Sequence, residues 1–83
     1  MQLYIINPKH QETHTILWLD IVTPYGSFII QPGHAPMIID LAPGRPFTFA
    51  LENGVQKSVT ARRAVLTVER TQAKIIMNAP EHG

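Results

Sequence analysis

The chain has 83 residues, 45% of them hydrophobic, with seven basic and six acidic side chains and a formal net charge of +1. This length corresponds to one domain, and we expect residues 1–83 to fold around a single core. The basic residues are scattered, with one adjacent pair at Arg62-Arg63, which argues against nucleic-acid binding. Every apolar run is far shorter than the roughly 20 residues of a spanning helix, so no membrane segment is predicted.

The start of the sequence and its lack of cysteine bear on the compartment. Residues 1–6 have neither the basic head nor the small-residue cleavage site of a secretory signal. Without cysteine, neither a disulfide nor a Cys-based metal site can stabilise the fold. We therefore expect a cytosolic chain whose stability comes from apolar burial and from contacts with partners.

Seven prolines and five glycines divide the sequence into short runs rich in Ile, Val, Thr and Phe. Such runs between turn signals are typical of all-β proteins, and we predict a small β-sandwich or flattened barrel of roughly 8–10 mostly antiparallel strands. Residues 79–83 are expected to fray. In chain order the predicted strands are Leu3–Asn7, Thr15–Thr23, Phe28–Gln31, Met37–Leu41, Phe47–Leu51, Val55–Thr60, Ala64–Val68 and Lys74–Asn78.

The second predicted strand has apolar side chains on both of its faces. Strict alternation places Leu17 on the same face as Leu19 and Ile21, opposite Trp18. A strand that is apolar on both faces is typical of the middle of a sheet, so we predict a central position for it.

Two segments are predicted to form tight turns. Asn53-Gly54 favours a short hairpin because both residues tolerate positive φ. Gln31–Pro36 places His34 between two prolines, and a Pro-Gly pair of this kind stiffens a loop.

The histidines and carboxylates are the candidate catalytic or metal-binding groups of this sequence. His10 and His14 have the four-residue spacing of a helical zinc pair, but the preceding Asn7-Pro8 favours a surface loop, where that spacing carries no special geometry. Asp20 and Asp40 are predicted on separate strands, where nothing in the spacing brings them together for acid–base work.

His34 has no His, Cys or carboxylate partner nearby in sequence, so we expect it to bond loop backbone or a partner protein rather than to act in catalysis. The sequence contains no phosphate loop and no dinucleotide fingerprint, so we predict no catalytic residue and no cofactor. A metal-dependent small-barrel enzyme remains an alternative, and it would require His10, His14 and His34 to converge.

The segment around Pro32-Gly33-His34-Ala35-Pro36 resembles the N-terminal β-sandwich domain of the epsilon subunit of F-type ATP synthases. The family pattern runs Leu-x-Ile-x-x-Pro, then Gly-x-Phe-Gly, then Leu-Pro-Gly-His-Ala-Pro-Leu-Ile, then Leu-x-Pro-Gly. The resemblance covers nearly the whole chain. The matching residues are Leu3, Ile5, Pro8, Gly26, Phe28, Pro32 to Pro36, Ile38, Leu41, Pro43 and Gly44.

This resemblance implies a non-catalytic subunit of the rotor, or central stalk. Such a subunit would bind the gamma subunit with one sheet and the membrane c-ring with its lower loops, coupling ion translocation to ATP synthesis. It would lie peripherally on the cytoplasmic face of the inner or plasma membrane and need no cofactor or metal. The candidate partner-contact residues are Gly26, Ser27, Phe28, Gln31, Pro32, Gly33, His34, Ala35 and Pro36. Arg62 and Arg63 form a second candidate group, which either pairs with an acidic partner surface or is a solvated pair at the end of a strand.

The sequence departs from the family pattern at three places. Arg62-Arg63 stands where the family usually has Gly-Gly, Ser27 occupies a commonly acidic position, and the loop from Asp20 to His34 is shorter than usual. Most members continue into a two-helix domain implicated in inhibiting ATP hydrolysis, and the resemblance does not carry that role to residues 1–83. The competing interpretation is a stand-alone β-sandwich binding module unrelated to ATP synthase.

Overall fold

The structure is a computed structural model that describes residues 1–77, and within them it contains eight strands and no helix. The predicted number of strands is confirmed, with bounds shifted by at most four residues. Asn78 and the expected fraying of residues 79–83 lie outside the described residues. The strands are β1 Gln2–Ile6, β2 Gln11–Thr23, β3 Gly26–Ile30, β4 Met37–Asp40, β5 Pro46–Leu51, β6 Gln56–Thr60, β7 Ala64–Val68 and β8 Gln72–Met77.

The strands pair into an open β-sandwich, which confirms the predicted fold class. Among the described residues every strand pair is antiparallel except β1 with β8. One sheet has the order β4-β7-β8-β1-β2 and the other the order β3-β2-β5-β6. The sheet does not close into a barrel, so strands remain at its edges.

Strand β2 belongs to both sheets. Residues 11–15 pair with β1, residues 16–20 pair with β5, and residues 19–23 pair with β3 on the opposite side. In the strand order β2 lies between β1 and β5, which confirms its predicted central position. Because one strand continues from one sheet into the next, the two sheets are covalently fixed to each other.

A β-bulge in β2 overturns the predicted facing of Leu17. Ile16 pairs with Leu51 and Trp18 pairs with Ala50, and the register shifts between these two pairs. An extra residue in one strand reverses the alternation beyond it. Leu17 is therefore 48% exposed, whereas Leu19 is fully buried.

The core lies between the sheets and consists almost entirely of aliphatic side chains with two phenylalanines. Their rings, Phe47 and Phe49, stack with centroids 6.4 Å apart. Burial of this apolar surface stabilises a fold that has no disulfide. The largest fully buried side chains are Phe47, Phe49, Leu3, Ile5, Ile16, Leu19, Ile21, Ile30, Leu66, Ile75 and Val68.

The turn between β5 and β6 is present where predicted but has a different form. Gly54 has a φ of 89°, and no residue other than glycine has positive φ in the described chain, so Asn53 does not use that region. The Leu51 N–H donates to the Val55 carbonyl over 2.8 Å, and the Val55 N–H donates to Asn53 Oδ1 over 3.0 Å. The loop is therefore longer than a two-residue turn, and β6 begins at Gln56 rather than Val55.

Gly54→Ala is expected to lower the free energy of unfolding by about 1 kcal/mol, because a Cβ disfavours the left-handed region. Chemical denaturation measures this, and Glu52→Ala, an exposed neighbour in the same turn, serves as the control. Equal unfolding midpoints for the two variants would contradict the assigned turn.

Candidate partner-binding surfaces

The connection between β3 and β4, residues 31–36, is held by backbone hydrogen bonds; we call it the histidine loop. The Gly33 N–H donates to the Arg70 carbonyl over 3.0 Å, and the His34 N–H donates to the Gln31 carbonyl over 3.1 Å. The Ala35 carbonyl accepts a hydrogen bond from His34 Nδ1 over 2.8 Å. His34 thus bonds its own loop backbone, as one of its two predicted roles requires.

A second surface surrounds a cavity of about 450 Å³; we call it the arginine end. Two backbone hydrogen bonds hold its walls: Ala42 N–H to the Val22 carbonyl at 2.8 Å, and Gly44 N–H to the Ala61 carbonyl at 3.2 Å. The cavity places an arginine and an aspartate among apolar groups. It is lined by Pro24, Asp40, Leu41, Pro43, Arg63, Ala64 and Val65.

The β2–β3 turn beside this cavity is organised by one buried hydroxyl group. Thr23 is the one buried polar side chain of the described residues. Its Oγ1 donates to the Gly26 carbonyl over 3.0 Å and accepts the Tyr25 N–H over 3.0 Å. These bonds hold the turn in the shape that leaves Tyr25 85% exposed.

Thr23→Val is expected to lower the free energy of unfolding by about 1–3 kcal/mol, because it keeps the side-chain shape but removes the two hydrogen bonds that hold the turn. Thr60→Val, at an exposed position of β6, should change it by less than about 0.5 kcal/mol. Thermal unfolding of both variants measures the difference. A Thr23 variant as stable as the Thr60 variant would show that the turn does not depend on this hydroxyl.

The predicted contact residues fall on two surfaces rather than one. Arg63 lines the same cavity as Pro24, so the arginine pair neighbours the turn that leads into Gly26 and Ser27. The histidine loop lies at the other end of β3 and β4, about 10 Å or more away at 3.4 Å per residue. Phe28 lies between them on β3 and is partly exposed.

The prediction of a surface loop for His14 is wrong, since β2 begins at Gln11 and includes it. His14 Nε2 lies 3.1 Å from Glu12 Oε1, His10 Nε2 lies 3.6 Å from Glu12 Oε2, and the His14 ring packs 5.0 Å from that of Phe49. Glu12 and His14 are two residues apart, the spacing of neighbouring side chains on one face of a strand, and this spacing could have indicated that both belong to β2. Across residues 1–77 no three His, Asp or Glu side chains are positioned to hold a metal ion, so the histidines do not converge as the metal-enzyme alternative requires.

Sequence reasoning did not identify a group of exposed aliphatic side chains on the outer face of the first sheet. Val65 of β7 lies directly opposite Ile76 of β8, and both are exposed. On the next strand Ile38 is 76% exposed and pairs with Thr67. Strand alternation at these positions could have revealed this surface, because each lies between residues that are buried or that pack against the core. We call Ile38, Val65 and Ile76 the aliphatic face.

The eight strands and their pairing define a small, open β-sandwich domain. The family described as "ATP synthase, Delta/Epsilon chain, beta-sandwich domain" matches residues 1–83. The chain belongs to this family, which confirms the resemblance and excludes an unrelated stand-alone module. No curated protein is significantly similar in sequence.

The solved structures with the same fold include chains of two mitochondrial ATP synthases. A chain of the Euglena gracilis mitochondrial ATP synthase, solved with OSCP, F1 and c-ring, superposes with a TM-score of 0.82 at 18% identity, covering 90% of this chain and 48% of that one. A chain of the Tetrahymena thermophila mitochondrial ATP synthase central stalk and c-ring gives 0.77 at 15%, covering 94% of this chain and 63% of that one. This chain thus spans about half to three fifths of their lengths.

Among residues 1–77, no helix has the length and apolar character needed to cross a membrane.

Proposed function

We propose that this chain is a non-catalytic subunit of the central stalk of an F-type ATP synthase. It links the gamma subunit to the membrane c-ring and so couples ion translocation to ATP synthesis. As part of that complex it lies peripherally on the cytoplasmic face of the inner or plasma membrane. Residues 1–83 act in this role as one domain. The family match over the whole sequence supports this function.

The observation that carries the proposal is the separation of two stiff surfaces on one rigid sandwich. A subunit that connects two partners needs two contact surfaces that keep a constant relation under load. The histidine loop and the arginine end meet this need, because β3 and β4 join them and both are held by backbone hydrogen bonds. Close-packed cores of this kind transmit strain rather than absorb it.

The arginine end is the proposed contact with the c-ring. It combines Arg62 and Arg63 with the exposed Tyr25 of the adjoining β2–β3 turn. Cations at the rim of an interface steer association with loops of opposite charge. Arg62 and Arg63 stand where the family usually has two glycines, so they add positive charge to this surface. We infer that they contact acidic groups of the ring loops.

The histidine loop and Ile38 of the aliphatic face are the proposed contact with gamma. An exposed apolar side chain beside a stiff loop is typical of protein-interaction surfaces. Ile38 lies two residues after the histidine loop in β4 and is 76% exposed. Val65 and Ile76 lie beside Arg63, at the other end of β4, and are not part of this contact.

Arg63→Glu is expected to weaken binding to purified c-ring about tenfold at low salt, because the reversed charge repels acidic ring loops. Lys57→Glu, the same charge reversal at an exposed position of β6, is the matched control and should bind like the unaltered chain. Surface plasmon resonance against immobilised c-ring measures both. Equal affinities of the two variants for the c-ring would show that the arginine end does not contact the ring.

A further inference from the structure

Strand β3 has a free edge. In residues 1–77 it pairs with β2 alone, and Gly26, Ser27, Phe28 and Ile29 are all exposed. An unpaired edge presents a row of backbone donors and acceptors that can template another strand.

One backbone hydrogen bond fixes which groups of β3 point to that edge. The Val22 carbonyl accepts the Ala42 N–H over 2.8 Å, so the polar groups of Val22 face away from β3. Val22 pairs with Ser27, and in an antiparallel ladder hydrogen-bonded pairs alternate with non-bonded ones. Ser27 and Ile29 therefore direct their N–H and C=O groups to the free edge, whereas Phe28 bonds Ile21 of β2.

The other strands at sheet edges carry the usual protection against pairing, and β3 does not. Edge strand β6 is polar and carries Lys57, and β4 follows Pro36 and ends at Asp40. Residues 11–15 of β2, which end the first sheet, carry Glu12. Charged side chains and proline at an edge hinder the addition of a further strand. Residues 26–30 contain neither a charge nor a proline, which leaves β3 as the edge suited to accept one.

The neighbouring side chains indicate the chemistry of the incoming strand. Ile29 is 60% exposed and lies directly beside Asp20, the one charged residue between positions 16 and 30. No ion pair of the described residues involves Asp20. A lysine or arginine on an added strand could lay its aliphatic stem across Ile29 and bring its charge to Asp20.

We propose that the free edge of β3 accepts an extended segment of the gamma subunit, which adds a strand to the second sheet and carries a basic side chain directed at Asp20. This inference rests on the proposed function: Ile30, the last residue of β3, leads directly into the histidine loop, so the free edge is continuous with the proposed gamma contact. It gives a structural role to the predicted contact residues Gly26, Ser27 and Phe28. Backbone pairing supplies affinity in this mode of recognition, while the flanking side chains supply specificity. A second copy of the chain fits less well, since self-pairing through β3 brings no cation to Asp20.

Amide hydrogen exchange measured residue by residue by NMR tests the inference on the unaltered chain. Without gamma, the Ser27 and Ile29 amides should exchange rapidly while the Phe28 amide is protected. With saturating gamma subunit, the Ser27 and Ile29 amides should slow by about 100-fold or more as they become hydrogen-bonded. Gamma that binds without slowing these two amides would overturn the inference and leave the proposed function intact.

Two further outcomes are distinguishable. Absence of gamma binding would overturn the proposed function and the inference with it. Protection that grows with chain concentration in the absence of gamma would identify a second copy as the occupant and overturn the assignment to gamma.

Substitutions give an independent readout. Ile29→Pro removes an edge-facing N–H and should weaken gamma binding at least about tenfold, whereas Gln56→Pro, at the edge of β6, should not. Asp20→Lys tests the charge with every backbone donor kept and should also weaken binding. Unaltered gamma affinity in both Ile29→Pro and Asp20→Lys, each shown to be folded by circular dichroism, would overturn the inference.

Discussion

Replacing Leu19 by alanine is expected to lower the free energy of unfolding by about 2–5 kcal/mol, a large part of the stability of so small a domain. Leu19 is fully buried and pairs with Ile30 on one side and Phe49 on the other. Truncation would leave a cavity where β2, β3 and β5 meet, so the surrounding side chains could not easily close it.

Leu17→Ala is the matched control, since it removes the same atoms two residues away. Leu17 is about half exposed because of the bulge, so its truncation should cost less than about 1 kcal/mol. Urea denaturation measures both. Similar losses at the two positions would contradict the bulge and restore the simple alternation.

Replacing residues 31–36 by a Gly-Ser segment of equal length is expected to weaken gamma binding at least about tenfold while the sandwich still folds. A flexible loop must be ordered on binding, and this ordering costs affinity that the proline-bounded loop does not lose. The replacement also removes His34 and its bond to the Ala35 carbonyl. Calorimetric titration with gamma measures the change.

The control for this experiment is a Gly-Ser replacement of residues 7–10, the β1–β2 turn, which lies outside both proposed surfaces. Circular dichroism is used to check that each variant folds. Gamma affinity that is unchanged in the loop variant would show that residues 31–36 have only a structural role.

Most of the fold could be predicted because period-two alternation and turn residues mark short strands directly. Ala64–Val68 agrees with the prediction at both ends, since it alternates and follows a polar pair. The errors have local physical causes. The bulge at Leu17 arises where β2 passes from one sheet to the other, and His14 joins a strand because β1 is available to pair with it.

The partner surfaces were harder to predict from the sequence, because they depend on which segments that are distant in sequence meet in the fold. The spacing of His34 and Arg63 in the sequence does not indicate that these residues lie at opposite ends of β3 and β4. The free edge of β3 follows from the sheet order, which periodicity does not encode. The motif around Pro32–Pro36 did identify the family, since prolines and a glycine at fixed spacing specify a loop geometry. The contact roles of individual residues stay predictions.

The central claim is that this chain connects gamma to the c-ring, and reconstitution tests it most directly. The complex lacking this subunit would be assembled in vesicles, with and without the added chain, and ATP-driven ion pumping measured beside ATP hydrolysis. The account predicts that the added chain binds the complex and raises the amount of ion pumped per ATP hydrolysed. A folded chain that binds neither gamma nor the c-ring at low salt, and leaves pumping unchanged, would contradict it.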